Sequence, residues 1–135
     1  MDSLSPNIFV RDMHATIDFY KILGFQLTMT VPDAPDSAAE GQTEKDLIWA
    51  MMSNGNVTFM FQSFDSLGTD LPQINRQDGS SLLLYINVKD IRAYFESIKD
   101  HVFVLQELHK TFYGATEFAI SDVNNYVLCF AEREV

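Results

Sequence analysis

The chain has 135 residues, 47% of them hydrophobic and 13% aromatic, and a formal charge of −10 at pH 7. That is enough apolar material for one ordered domain burying about two thirds of its unfolded surface, which excludes a disordered chain. The acidity argues against nucleic acid, whose phosphates need clustered Lys and Arg, and no run of about 18 uncharged apolar residues offers a membrane-spanning helix.

In chain order, residues 1–6 lack the basic and apolar blocks of a signal peptide. Residues 7–10 read as a short strand, and Asp12 is a good N-cap for the helix after it. Met13, Ile17 and Tyr20 fall at i, i+4 and i+7 on one apolar face of that helix, and Gly24 sits where a terminating glycine belongs. Residues 25–31 alternate apolar with polar, a half-buried strand. Residues 32–46 are small and acidic with Pro and Gly, which predicts a mobile surface loop. Two apolar runs, 47–52 and 57–62, flank Asn54-Gly55-Asn56, a hairpin turn. The first half therefore reads β-α-β-β-β.

Residues 64–80 look like a connector, and then the pattern restarts. A strand is expected at 82–88, followed by Asp90 as the cap of a helix with Ile91, Tyr94, Phe95 and Ile98 on one face. Three more strands are expected at 102–108, 115–120 and 126–131. The restart is also spelled out in residues. Val10-Arg11-Asp12-Met13-His14-Ala15 returns as Val88-Lys89-Asp90-Ile91-Arg92-Ala93, an offset of 88 − 10 = 78 residues. Two copies in a chain this short imply a duplicated half-domain rather than a solenoid.

The remaining candidate chemistry is sparse. The lone Cys129 permits no intramolecular disulfide and suits a reducing, cytoplasmic setting. As a nucleophile it would need a neighbouring base or positive charge; between Leu128 and Phe130 it reads better as a small buried residue. Glu107 and His109 alternate along one strand, either a solvated face or an acid–base pair. His14 and His101, in the first turn of one helix and just after the other, do not look chemical. Glu117 is the one carboxylate inside an otherwise apolar strand, placed for a structural salt bridge or a cationic ligand. Tyr113, before Gly114, can stack on a flat ligand and hydrogen-bond through its hydroxyl.

Val10-Arg11-Asp12, Asp18-Phe19-Tyr20 and Leu23-Gly24-Phe25 resemble the opening strand–helix–strand signature of the vicinal oxygen chelate superfamily of glyoxalases, bleomycin-resistance proteins and extradiol dioxygenases. Residues 113–118 and the turn Asp122-Val123-Asn124-Asn125 resemble its closing strands, with Asn125 where the family usually has Gly. Asn is the non-glycine residue that best tolerates the left-handed conformation, so the turn should survive. The resemblance implies an α+β fold of two tandem βαβββ modules, an open curled-sheet barrel around a cavity. One domain spans 1–135, with a first module at about 1–63, a connector at about 64–80 and a second module at about 81–135.

The family's enzymes place four metal ligands in such a cavity, and the resemblance lays Ser5, Met60, Leu83 and Cys129 on those positions. Ser and Met suit a hard divalent ion poorly and Leu not at all; sliding the register by one or two residues adds only Gln62. No metal and no other cofactor is therefore expected. What the strands supply instead is apolar and polarisable: Met29, Trp49, Met51, Met52, Phe59, Met60, Phe61, Leu83, Tyr85 and Cys129. Only alternate residues of a strand can face a cavity, so half of these must be core. Ser5, Asn7, Trp49, Met60, Gln62, Leu83, Tyr85, Tyr113, Glu117 and Cys129 are the candidate ligand-binding residues. The resemblance implies a metal-free binder of a small, flat or cationic molecule, with a homodimer as its usual assembly. A glyoxalase-like lyase or isomerase, or a dioxygenase-related enzyme, with an atypical metal site, and a non-catalytic dimeric interaction module, are the alternatives.

Overall fold

In the computed structural model, residues 1–33 and 47–134 are described. The expected loop at 32–46 lies outside them from residue 34 onward, and Pro32 itself ends a strand. The chain divides into two compact units, Met1–Asp78 and Gly79–Val135. The first runs β1 (Asn7–Val10), α1 (Met13–Ile22), β2 (Gln26–Pro32), β3 (Leu47–Asn54) and β4 (Val57–Ser63), then a single turn of helix, α2 (Phe64–Leu67). The second runs β5 (Leu83–Asn87), α3 (Ile91–Ile98), β6 (Phe103–Lys110), β7 (Ala115–Ser121) and β8 (Val127–Arg133), with a 3-10 turn at Lys99–His101. Each forms an unclosed, curled four-stranded sheet, ordered β1-β4-β3-β2 and β5-β8-β7-β6. In each, the first strand lies parallel to the last and the other pairings are antiparallel. The class is α+β, in two tandem modules. No described helix is long and apolar enough to cross a membrane.

The register repeats as the sequence does. Asn7 lies beside Met60 and Tyr85 beside Cys129, and 85 − 7 = 78 is the offset of the repeated phrase. Each helix covers one face of its own sheet. Tyr20 of α1 is fully buried, with its ring centroid 4.8 Å from that of Phe61 and 5.4 Å from that of Phe59. Phe95 of α3 meets Phe118 edge-on at 4.8 Å, and Phe118 stacks on Phe130 at 5.0 Å. Such aromatic pairs add to the stabilisation from area burial.

The two helix starts differ. Asp12 caps α1 as expected, its carboxylate accepting from the Ala15 N–H at 3.0 Å. Asp90 does not cap α3: it sits in the left-handed region at φ 55° with no side-chain cap bond. The cap comes from Glu132 on β8, whose two oxygens accept from the N–H groups of Asp90 and Ile91 at 2.9 and 3.1 Å. A distant carboxylate there satisfies the same free N–H groups and the same helix dipole. The turn after β7 holds as expected, with Asn125 at φ 67° and the Asp122 carboxylate accepting from Asn124 and Tyr126 N–H at 2.8 Å.

Candidate functional site

Strand alternation turns Leu128 and Phe130 of β8, and Phe118 and Ile120 of β7, into the core, where all four are almost wholly buried. Val127, Cys129, Glu117 and Ala119 consequently lie on the opposite face of the sheet. A cavity of about 430 Å³ opens there, lined also by Leu83 and Tyr85 of β5, Leu105 and Gln106 of β6, and Tyr113 from the β6–β7 turn. Its wall is mostly apolar, with the polar groups gathered around Glu117. That composition, at that size, is typical of small-molecule sites.

Glu117 is only 6% exposed. Tyr85 and Tyr113 both donate their hydroxyls to its Oε2, at 2.5 and 2.6 Å, and the Cys129 thiol donates to Oε1 at 3.7 Å. Burial by itself pushes this carboxyl up. The hydrogen bonds from Tyr113, Tyr85 and Cys129, with the charge of His109 opposite on β6, outweigh burial and hold it below its ordinary value. The donors pay in the reverse sense. Tyr85 is pushed up to about 12, first by its bond to Glu117 and then by burial, and Tyr113 is raised for the same reasons. Cys129 is pushed up to about 11 by burial and by the neighbouring Glu117 charge. The arrangement is a fixed anion ringed by neutral donors. Among the described residues no Lys or Arg forms an ion pair with it.

This chemistry answers several expectations. A nucleophilic Cys129 would need a nearby positive charge, and the structure sets a negative one against it. His109 does not pair with the Glu107 side chain; its Nδ1 meets the Glu107 backbone carbonyl at 2.7 Å. Glu117 is not held in a structural salt bridge with Lys or Arg among the described residues. At the positions on which the resemblance lays four metal ligands, Leu83 has no donor, Met60 only a soft thioether and Ser5 only a neutral hydroxyl, a set that suits a hard divalent ion badly. Among the described residues no group of three or more His, Cys, Asp or Glu is placed to hold a metal ion.

Of the candidate residues, Leu83, Tyr85, Tyr113, Glu117 and Cys129 come together around the one cavity. Asn7, Trp49, Met60 and Gln62 share the face of the first sheet that α1 leaves uncovered, where the Asn7 amide donates to the Gln62 carbonyl at 3.0 Å. Ser5 precedes β1, and Asn7 rather than Ser5 lies beside Met60. Met52, Phe59 and Phe61 belong to the core. Sequence reasoning missed Leu105, Gln106, Ala119 and Val127. Ala119 and Val127 follow from alternation once Glu117 and Cys129 are placed. Leu105 and Gln106 do not, because a register shift between Val104 and Gln106 lets two consecutive residues line the cavity.

A family model described as the Glyoxalase/Bleomycin resistance protein/Dioxygenase superfamily matches residues 3–130. No curated protein matches the chain. Among solved structures, a bleomycin-binding protein complexed with bleomycin is 18% identical with a TM-score of 0.66, over 99% of this chain and 100% of that one. A bleomycin resistance determinant encoded on transposon Tn5 is 19% identical with a TM-score of 0.67, over the whole of both chains. A glyoxalase/bleomycin resistance protein/dioxygenase family enzyme from Burkholderia phytofirmans PsJN is 20% identical with a TM-score of 0.70, over 96% of this chain and 98% of that one. At these identities the likeness is one of fold.

Proposed function

Because the chain belongs to the Glyoxalase/Bleomycin resistance protein/Dioxygenase superfamily, we propose that it works as a metal-independent binding protein that takes a flat or cationic small molecule into the cavity of its second module. The observation that carries this reading is a buried carboxylate, ringed by two phenols and a thiol, in the wall of an otherwise apolar cavity. Burying a charge costs stability unless it is paired or hydrogen-bonded, and here two phenols and a thiol offset that cost and keep an anion in the cavity wall. Chemistry is a poorer use than binding. A carboxyl held below its ordinary value is a weak base, and a thiol raised to about 11 is a weak nucleophile. The solved bleomycin complex of a protein with the same fold supports a small-molecule occupant. The family resemblance also supports a homodimer, which sedimentation equilibrium reads directly.

The test is elemental analysis of protein purified without chelator, with thermal melts in added Ni²⁺, Zn²⁺ or Mn²⁺ and, separately, in bleomycin and other planar cations. A ligand at a hundred times its Kd stabilises by about 2.7 kcal/mol and raises the melting temperature by several degrees. The expected outcome is no stoichiometric metal, no shift with the three ions, and a rise with at least one planar cation. One tightly held metal per chain would overturn the metal-free reading.

A further inference from the structure

The two oxygens of Glu117 are used unequally. Oε2 accepts two short phenol hydrogen bonds, which fills its lone pairs. Among the described residues Oε1 accepts only the Cys129 thiol, a weak donor at 3.7 Å. An ionised carboxylate has about four acceptor positions, so this one keeps a strong one unfilled on Oε1, in a group that is 6% exposed and lines the cavity. Buried acceptors are almost always satisfied. Glu117 lines the cavity, so a donor on a bound molecule can reach Oε1.

The charge decides what kind of donor. Among the described residues Glu117 has no Lys or Arg partner, while the chain as a whole carries −10. The rings of Tyr85 and Tyr113 stand beside the carboxylate, and the faces of such rings attract cations. Leu83, Leu105 and Val127 complete an apolar wall for the rest of the molecule. Resting on the binding function proposed above, we infer that the ligand is a protonated amine carrying an apolar or aromatic body, and that its ammonium N–H donates to Oε1 of Glu117. The site then selects for an N–H-bearing cation, against both neutral alcohols and quaternary ammonium ions. A quaternary ion keeps the attraction to charge and rings but has no proton to give to Oε1.

Three probes of nearly the same shape separate these terms: 1-naphthylmethylamine, protonated at neutral pH, its N,N,N-trimethylammonium analogue, and 1-naphthylmethanol. Affinities for the wild-type protein are measured by calorimetry, and again for Glu117→Gln after its fold is checked by circular dichroism. The amine is expected to bind at least about tenfold more tightly than either analogue, the advantage of a charge-assisted hydrogen bond, and Glu117→Gln is expected to erase that preference. If the trimethyl compound binds the wild type as tightly as the amine, the N–H bond to Oε1 is wrong. An alcohol that binds equally well overturns the cationic anchor and leaves a small-molecule binder standing. Failure of all three overturns the anchor and counts against the binding function too. The wild-type comparison decides the matter even where the variant does not fold.

Discussion

Glu117 sets the properties of the side chains around it. Burial, with the Glu117 charge added to it, keeps Cys129 protonated, the thiol pushed up to about 11, so roughly one thiol in a thousand is ionised at pH 8. Iodoacetamide at pH 8.5 should therefore modify Cys129 far more slowly than an unhindered cysteine. In Glu117→Gln the charge is gone while burial remains, and the rate should rise several-fold. An unchanged rate, read by intact-mass spectrometry, would mean that burial alone controls the thiol. His109 and Glu107 behave otherwise. Their alternation put them on one face, but the imidazole turned to a backbone carbonyl, a choice between two nearby acceptors that residue spacing does not encode.

At the scale of elements, the duplication conserved an outcome while changing its cause. Both modules open a helix after an Asp at the same place in the repeat, yet only Asp12 caps through its own carboxylate. Asp12→Ala should cost about 1 kcal/mol in urea unfolding, the usual loss for an N-cap. Asp90→Gly should cost nothing or stabilise, since glycine accepts the left-handed backbone without strain. Glu132→Ala should lower the melting temperature because it removes the true cap. A large loss from Asp90→Gly would restore Asp90 as the cap. A second local device is Arg76, whose guanidinium donates to the carbonyls of Gly68, Asp70, Leu71 and Ile74 and ties the segment after α2 into a knot.

Much of this was open to reading in the residues. The repeated phrase and the order of apolar runs predicted both modules, and helical spacing named the faces that α1 and α3 bury. Five of the residues around the cavity were named for separate reasons: Leu83 and Cys129 by the family pattern, Tyr85 as a polarisable strand residue, Glu117 as a lone carboxylate in an apolar strand, and Tyr113 by its place before Gly114. What escaped has a common character. The Glu132 cap on Asp90 and Ile91 and the Tyr85 phenol on Glu117 join residues 42, 41 and 32 positions apart, and side-chain meetings at such range leave no local periodicity. The lining by Leu105 and Gln106 escaped because a bulge breaks the alternation on which the reading depends.

For the whole molecule, the shifted groups define the pH range of stability. Glu117 and Glu132 are held below their ordinary 4.5 in the folded state; Glu132 is lowered by its bonds from Ile91 and Asp90. Their contribution is present above that ordinary value and is lost as pH falls through the lowered folded ones. Tyr85 and Tyr94, both pushed up to about 12, the second by burial, work in the opposite direction. Their contribution is complete below about 10 and is lost as pH rises toward about 12. Urea midpoints across pH should show a plateau with a fall at each end. Glu117→Gln should weaken the acid-side fall and leave the share of Tyr94 on the alkaline side. An unaltered acid limb would place the acid sensitivity elsewhere.

The register that the two halves share leads further. Counted from Met60 and Cys129, the position that holds Glu117 in the second sheet holds Trp49 in the first. One backbone address thus carries a charge in one copy and a large indole in the other, and both copies fold because their cohesion is invested in the opposite, helix-covered face. Innovation in such a scaffold is cheap. Selection can rewrite the open face of either half without touching what keeps it folded, so descendants of one ancestor can diverge in what they hold long before they diverge in shape.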